Sequence, residues 1–248
     1  MYLSIVSYYK LIILLEDFNM EQIPFGDTSF VDNPEPRCPC ILLLDVSGSM
    51  SGQPIQELQN GILKYKEELV TDELAKKRVE IAIVTFGGSV NIVNDFSTAD
   101  SFVPPTLIAQ GETPMGQALI EGLNLLDIRK HDYQQNGIKY FRPWIFLITD
   151  GEPTDMNKPI WTDAVERIMH GENNRAFMFF AVGVENANME ILSQLSKKRP
   201  PLKLKGLRFC DLFSWLSNSQ QQVSRSKPGD SVPLENPTGP TGWAEVTV

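Results

Sequence analysis

Short, almost purely apolar runs recur along the chain, and between them apolar residues return every three or four positions. Cys40-Ile41-Leu42-Leu43-Leu44, the stretch 144–149 and the stretch 176–184 are runs of the first kind. Without polar alternation they predict strands buried on both faces, as in a parallel sheet. Ile55, Leu58, Ile62, Leu63 and Leu69 share one helical face, and Pro54 suits the first turn of that helix. Met115, Ala118, Leu119, Leu125 and Leu126 line a second helix. Residues 79–86 predict a strand, and Gly87-Gly88 turns it straight into 90–96. That turn is too tight for a crossover, so the pair is expected as an antiparallel hairpin at the sheet edge.

Pro104 and Pro105 bar a long helix from 97–110. A short helix is expected over 162–170 with Thr162 or Asp163 as its cap, and Asn188 is placed to cap another carrying Ile191, Leu192 and Leu195. Residues 202–207 read as a last edge strand and 211–222 as a closing helix. Strands alternating with helices mean a parallel sheet with helices on both faces, joined by right-handed crossovers.

The organisation expected is an extension and lead-in over 1–37, one α/β domain over 38–224, and a disordered tail over 225–248. Pro24, Pro34, Pro36 and Pro39 make the lead-in extended. Within 1–19, Lys10 splits the apolar residues into runs too short to span a membrane. That stretch also lacks the basic start and small-residue cleavage site of a secretory signal. It reads as an upstream extension before Met20 or as a helix added to the domain. Proline and glycine crowd 225–248, where Trp243 is the expected anchor. Trimming either end is expected to leave the sheet intact.

Net charge changes the picture by exclusion. At −9 the chain is a poor match to a phosphate backbone or an anionic membrane surface. Its three cysteines, Cys38, Cys40 and Cys210, have no framework spacing and point to a reducing compartment. They read as small buried hydrophobes; zinc held by them with His131 or His170 is the alternative weighed.

Candidate chemistry gathers where predicted strands end. Asp45-Val46-Ser47-Gly48-Ser49 follows the first apolar run, and Asp150-Gly151 follows the run ending in Thr149. Thr113 lies in the polar loop Gly111-Glu112-Thr113-Pro114-Met115-Gly116. Carboxylates and hydroxyls are hard oxygen donors, suited to Mg²⁺, Mn²⁺ or Ca²⁺ rather than zinc. Open α/β sheets keep their ligands at the carboxyl ends of strands. Glu112, Glu152 and Asp155 are expected as a solvated acidic rim. Taken singly, Ser47, Ser49 and Thr113 could cap helices or form turns.

Together, D-x-S-x-S, the loop threonine and the T-D-G strand end resemble the metal-ion-dependent adhesion site of von Willebrand factor A domains, over roughly residues 38–210. The resemblance implies a Rossmann-like, three-layer α/β/α fold whose mostly parallel sheet has one antiparallel edge strand. It implies direct metal binding by Ser47 and Ser49, and by Thr113 when a ligand is engaged, with Asp45 and Asp150 acting through waters. It implies a non-enzymatic module that takes an Asp or Glu carboxylate from a protein partner; the charge already argues against nucleic acid and membrane. Residues 50–55, 111–116 and 148–155 further resemble bacterial tellurite-resistance TerY-type proteins, implying a cytoplasmic stress-response or signalling role with kinase or phosphatase partners. Alternatives are a recruiting subunit of a chelatase-like ATPase and a metal-dependent phosphohydrolase. The second position of D-x-D phosphatases is Ser47 here, and no phosphate loop of the G-x-x-x-x-G-K-[ST] type occurs.

Overall fold

A computed structural model of the protein describes residues 29–246. The chain divides into Met1–Asn33 and Pro34–Val248. Of the first unit the described part includes a helical turn, Ser29–Asp32. The expectations for residues 1–19, and the terminal Thr247-Val248, lie outside the described residues.

In the second unit β1 (Cys38–Asp45), β2 (Val79–Gly87), β3 (Ser89–Thr98), β4 (Trp144–Thr149), β5 (Met178–Gly183), β6 (Leu202–Leu204) and β7 (Ala244–Val246) form one sheet. Their order is β3-β2-β1-β4-β5-β6-β7. β1 runs parallel to both β2 and β4, and β4–β5 and β5–β6 are parallel too. The β2–β3 and β6–β7 pairs are antiparallel. The longer helices are α1 (Gln53–Val70), α2 (Met115–Gln135), α3 (Pro159–Asn173), α4 (Met189–Leu195) and α5 (Phe209–Arg225).

Strand alternation divides the core into two layers. Cys40, Leu42 and Leu44 join Leu58, Ile62 and Tyr65 of α1 and Phe209, Phe213 and Leu216 of α5. Ile41 and Leu43 face Met115 and Leu119 of α2 and Trp161 and Ile168 of α3. Each large side chain fully buried this way contributes about 1.5–3 kcal/mol. β1 is buried along its whole length, which fixes Asp45 at the end of a central, fully enclosed strand.

Four sequence expectations are corrected. Leu63 is 43% exposed, because the buried stripe runs Leu58, Ile62, Tyr65, Leu69 and the residue after Ile62 turns about 100° away from it. α3 opens at Pro159 after Lys158, not near Thr162, because proline at the first position already has helical φ. β6 is three residues long and is not the edge.

The fourth correction concerns the tail, where a second antiparallel edge strand forms. Trp243 is buried against Trp215 at 5.7 Å between ring centroids, and Trp215 Nε1 donates to the Glu235 carbonyl at 2.8 Å. The Lys205 amide donates to the Trp243 carbonyl at 2.9 Å, which sets β7 beside β6. A proline- and glycine-rich stretch is ordered here because one large indole and a few backbone bonds offset its conformational entropy.

Candidate metal centre

Three segments deliver five oxygen-bearing side chains to one place at the carboxyl ends of β1 and β4. Asp45 is fully buried; its Oδ1 accepts the Ser47 amide at 2.8 Å, and its Oδ2 accepts the Thr149 hydroxyl. Ser47 Oγ lies 3.0 Å from Ser49 Oγ, and Ser49 Oγ donates to Asp150 Oδ1 at 2.7 Å. One hydrogen-bonded string therefore joins the turn after β1 to the turn after β4. A Cβ built on Gly151 would stand 3.2 Å from Thr113 Oγ1 and 3.5 Å from Asp45 Oδ2. Thr113 and Asp45 thus close around a position that glycine leaves open.

Backbone bonds hold the three loops together. The Gly48 amide donates to the Gly111 carbonyl at 3.0 Å, Gln110 to Val46 at 2.7 Å, and Gly88 to Glu112 at 2.7 Å. The approach is close enough to demand glycine at Gly111, whose φ is +71° and whose added Cβ would lie 2.5 Å from Gly88 Cα. Thr113 is buried, and its carbonyl accepts amides from Met115 at 2.8 Å and Thr154 at 2.9 Å. That pins the residue between α2 and the loop after β4 while its hydroxyl faces Gly151.

Burial pushes the Asp45 carboxyl above the usual carboxylate range, bonds from Ser47 and Thr149 partly offset that, and the Asp150 charge adds to it. Burial raises Asp150 as well. Neither forms an ion pair among the described residues. Two partly desolvated carboxyls, three hydroxyls and no paired cationic side chain fit a hard divalent cation.

Among the described residues no three His, Cys, Asp or Glu side chains gather to hold a metal. The cysteine-based zinc alternative is thereby closed: Cys38 and Cys40 are buried thiols with their pKa raised by burial, Cys40 to about 12.

Glu112 and Glu152 are exposed, as a solvated rim would be. Asp155 is not. It is 3% exposed, and its carboxylate accepts the Gly116 amide at 3.0 Å and the Gln117 amide at 2.9 Å. It caps α2 from another loop, the duty that sequence reasoning weighed for Thr113, so Thr113 keeps its hydroxyl for the site. The sequence pattern marks Thr149 only as a strand end. Its polarity inside an otherwise apolar run was the available signal for its bond to Asp45.

An open, mostly parallel sheet with helices on both faces defines an α/β domain, and its oxygen cluster lies at the carboxyl ends of central strands, where such sheets keep their ligands. The family model of the von Willebrand factor type A domain matches residues 40–204, and the chain belongs to that family. Comparison with curated proteins gives no match. Solved structures share the fold at low identity. The pilus adhesin SpaC from Lactobacillus rhamnosus GG is 13% identical with a TM-score of 0.58, over 77% of this chain and 30% of that one. The von Willebrand factor domain of the type V pili tip protein Mfa5 from Porphyromonas gingivalis is 10% identical with a TM-score of 0.51, over 80% and 99%. Proximal thread matrix protein 1 of the mussel byssus is 16% identical with a TM-score of 0.50. The match covers 75% of this chain and 48% of that protein, so the chain spans about half its length. Among the described residues no helix is long and apolar enough to cross a membrane.

Proposed function

We propose that the protein is a non-enzymatic, metal-dependent protein-binding module. Ser47, Ser49 and Thr113 would hold Mg²⁺, or Mn²⁺ or Ca²⁺, through hydroxyls, with Asp45 and Asp150 behind them. The observation that carries this is the convergence of these side chains, from three separate segments, with no cationic partner among the described residues. When bound, the cation supplies a positive coordination position for an oxygen from outside. Neutral hydroxyls quench that charge poorly, so the fitting ligand is an Asp or Glu carboxylate of a partner protein.

The burial of Asp45 favours this over a phosphohydrolase. Both its oxygens accept hydrogen bonds inside the protein, an arrangement that holds a carboxylate still rather than presenting it as a nucleophile. The likeness of residues 50–55, 111–116 and 148–155 to TerY-type proteins supports a cytoplasmic stress-response or signalling setting, with kinase or phosphatase partners.

Affinity capture of the partner in Mg²⁺ and in EDTA tests the reading. Capture is expected only with metal, weakened in Thr113→Ala with the melting temperature little changed, and lost in Ser47→Ala. Capture indifferent to EDTA and to Thr113→Ala contradicts it, as does metal-dependent phosphatase activity abolished by Asp45→Asn.

A further inference from the structure

At the pole opposite the carboxylates, arginines stand before three consecutive parallel strands: Arg142 before β4, Arg175 before β5 and Arg199 before β6. Glu172, at the end of α3, is 2% exposed and lies among them. Its carboxylate accepts from Arg199 and from the Phe179 amide at 3.1 Å, and its carbonyl accepts from Lys198 Nζ at 2.9 Å. Arg199 thus pairs with this carboxylate, Lys198 with the backbone carbonyl of the same residue, and Arg142 stands within electrostatic reach of Arg199, Arg175 and Glu172, on a chain whose net charge is −9.

Two further observations mark the place. Arg142 donates to the Phe177 carbonyl through one terminal nitrogen, while its Nε is buried with no hydrogen-bond partner among the described residues. A buried donor left unpaired is costly, more so on a charged group. The guanidinium is disfavoured by burial and by repulsion from Arg199 and Arg175, which Glu172 offsets in part.

Arg175 has φ +55°, in the left-handed region. It follows the cap Asn174 of α3, where the Ala176 amide donates to the Gly171 carbonyl at 2.8 Å and the Arg175 amide to the Glu172 carbonyl at 3.2 Å. That closing pattern ordinarily places glycine where Arg175 stands. A long cation thus occupies a position suited to glycine, against its backbone preference, and its side chain is the feature to explain.

We propose that Arg142, Arg175 and Arg199, with Lys198, form a binding site for a phosphoryl group, independent of the metal centre. Guanidinium forks match phosphate oxygens in geometry as well as charge. The surplus of positive charge calls for a dianion more than for a single carboxylate. The group can come from free phosphate or from a phosphorylated side chain; the chemistry recognised is the same.

Calorimetric titration with inorganic phosphate and, separately, with O-phosphoserine, both at constant ionic strength, tests the site. Saturable binding is expected, with the Arg142 Nε–Hε resonance shifting in ¹⁵N spectra, and acetate giving neither effect. The tighter of the two ligands identifies the source. Arg142→Gln is expected to weaken binding by about tenfold or more, the scale of one charge-assisted contact. Arg175→Gly guards against loss of fold, since it relieves the left-handed position. It should melt at or above the wild-type temperature without phosphate, yet lose most of the phosphate-induced rise. Absence of saturable binding for both ligands, or binding unchanged in Arg142→Gln and Arg175→Gly, would overturn the proposal.

Discussion

Asp45 and Asp150 sit at the ends of neighbouring parallel strands, and burial raises both carboxyls. Without metal, the folded protein then holds these protons more tightly than the unfolded chain does. The stability this lends is complete below the unfolded carboxyl pKa, near 4, and is lost as pH rises through the folded values. At neutral pH the ionised pair weighs against the metal-free fold, and a cation that neutralises it stabilises by mass action. The rise in melting temperature given by a fixed Mg²⁺ concentration is therefore expected to be larger at pH 7.5 than at pH 5, measured by scanning calorimetry. A rise independent of pH would place the cation away from these carboxyls. Gly151 makes a sharper case at the same scale. In Gly151→Ala the new methyl meets Thr113 Oγ1 at 3.2 Å, so Mg²⁺ affinity should fall several-fold while the cooperative transition persists. Unchanged affinity would show that the space over Gly151 is not part of the site.

Elements carry these residues by devices of unequal legibility. The apolar runs of β1, β4 and β5 announce themselves because both faces are buried, and the candidate ligands Asp45, Ser47, Ser49 and Asp150 follow at the carboxyl ends of β1 and β4. Asn188 was readable as a cap, and it accepts the Glu190 and Ile191 amides at 3.2 Å each. Asp155 was not, because it caps α2 from a different loop and no local spacing encodes that. Asp155→Ala should cost about 1–2 kcal/mol, as loss of a strong helix cap does, and lower Mg²⁺ affinity by loosening Thr113. A melting temperature equal to wild type would remove Asp155 from the support of the loop. β7 is not legible for another reason: three residues after a proline-rich stretch carry too little pattern, and their order depends on Trp243 packing on the distant Trp215. Trp243→Ala is expected to cost about 3–5 kcal/mol, the range for an aromatic deleted from a core, read by denaturant unfolding. A loss below 1 kcal/mol would restore the expectation that the tail is dispensable.

Across the whole molecule the sheet separates two kinds of charge. Carboxylates and hydroxyls gather where β1 and β4 end, and arginines where β4, β5 and β6 begin. The acidic total does not display that separation, which only the fold brings together. The family and the parallel architecture were legible from three motifs in order; the arginine pole was not, since its members are scattered from Arg142 to Arg199 and meet only in the fold. The central claim concerns the first pole, and titration calorimetry with Mg²⁺ tests it most directly. Wild type is expected to bind one ion per chain, and the Asp45→Ala, Asp150→Ala double variant, checked as folded, to bind none at that site. Identical isotherms for the two proteins would contradict it.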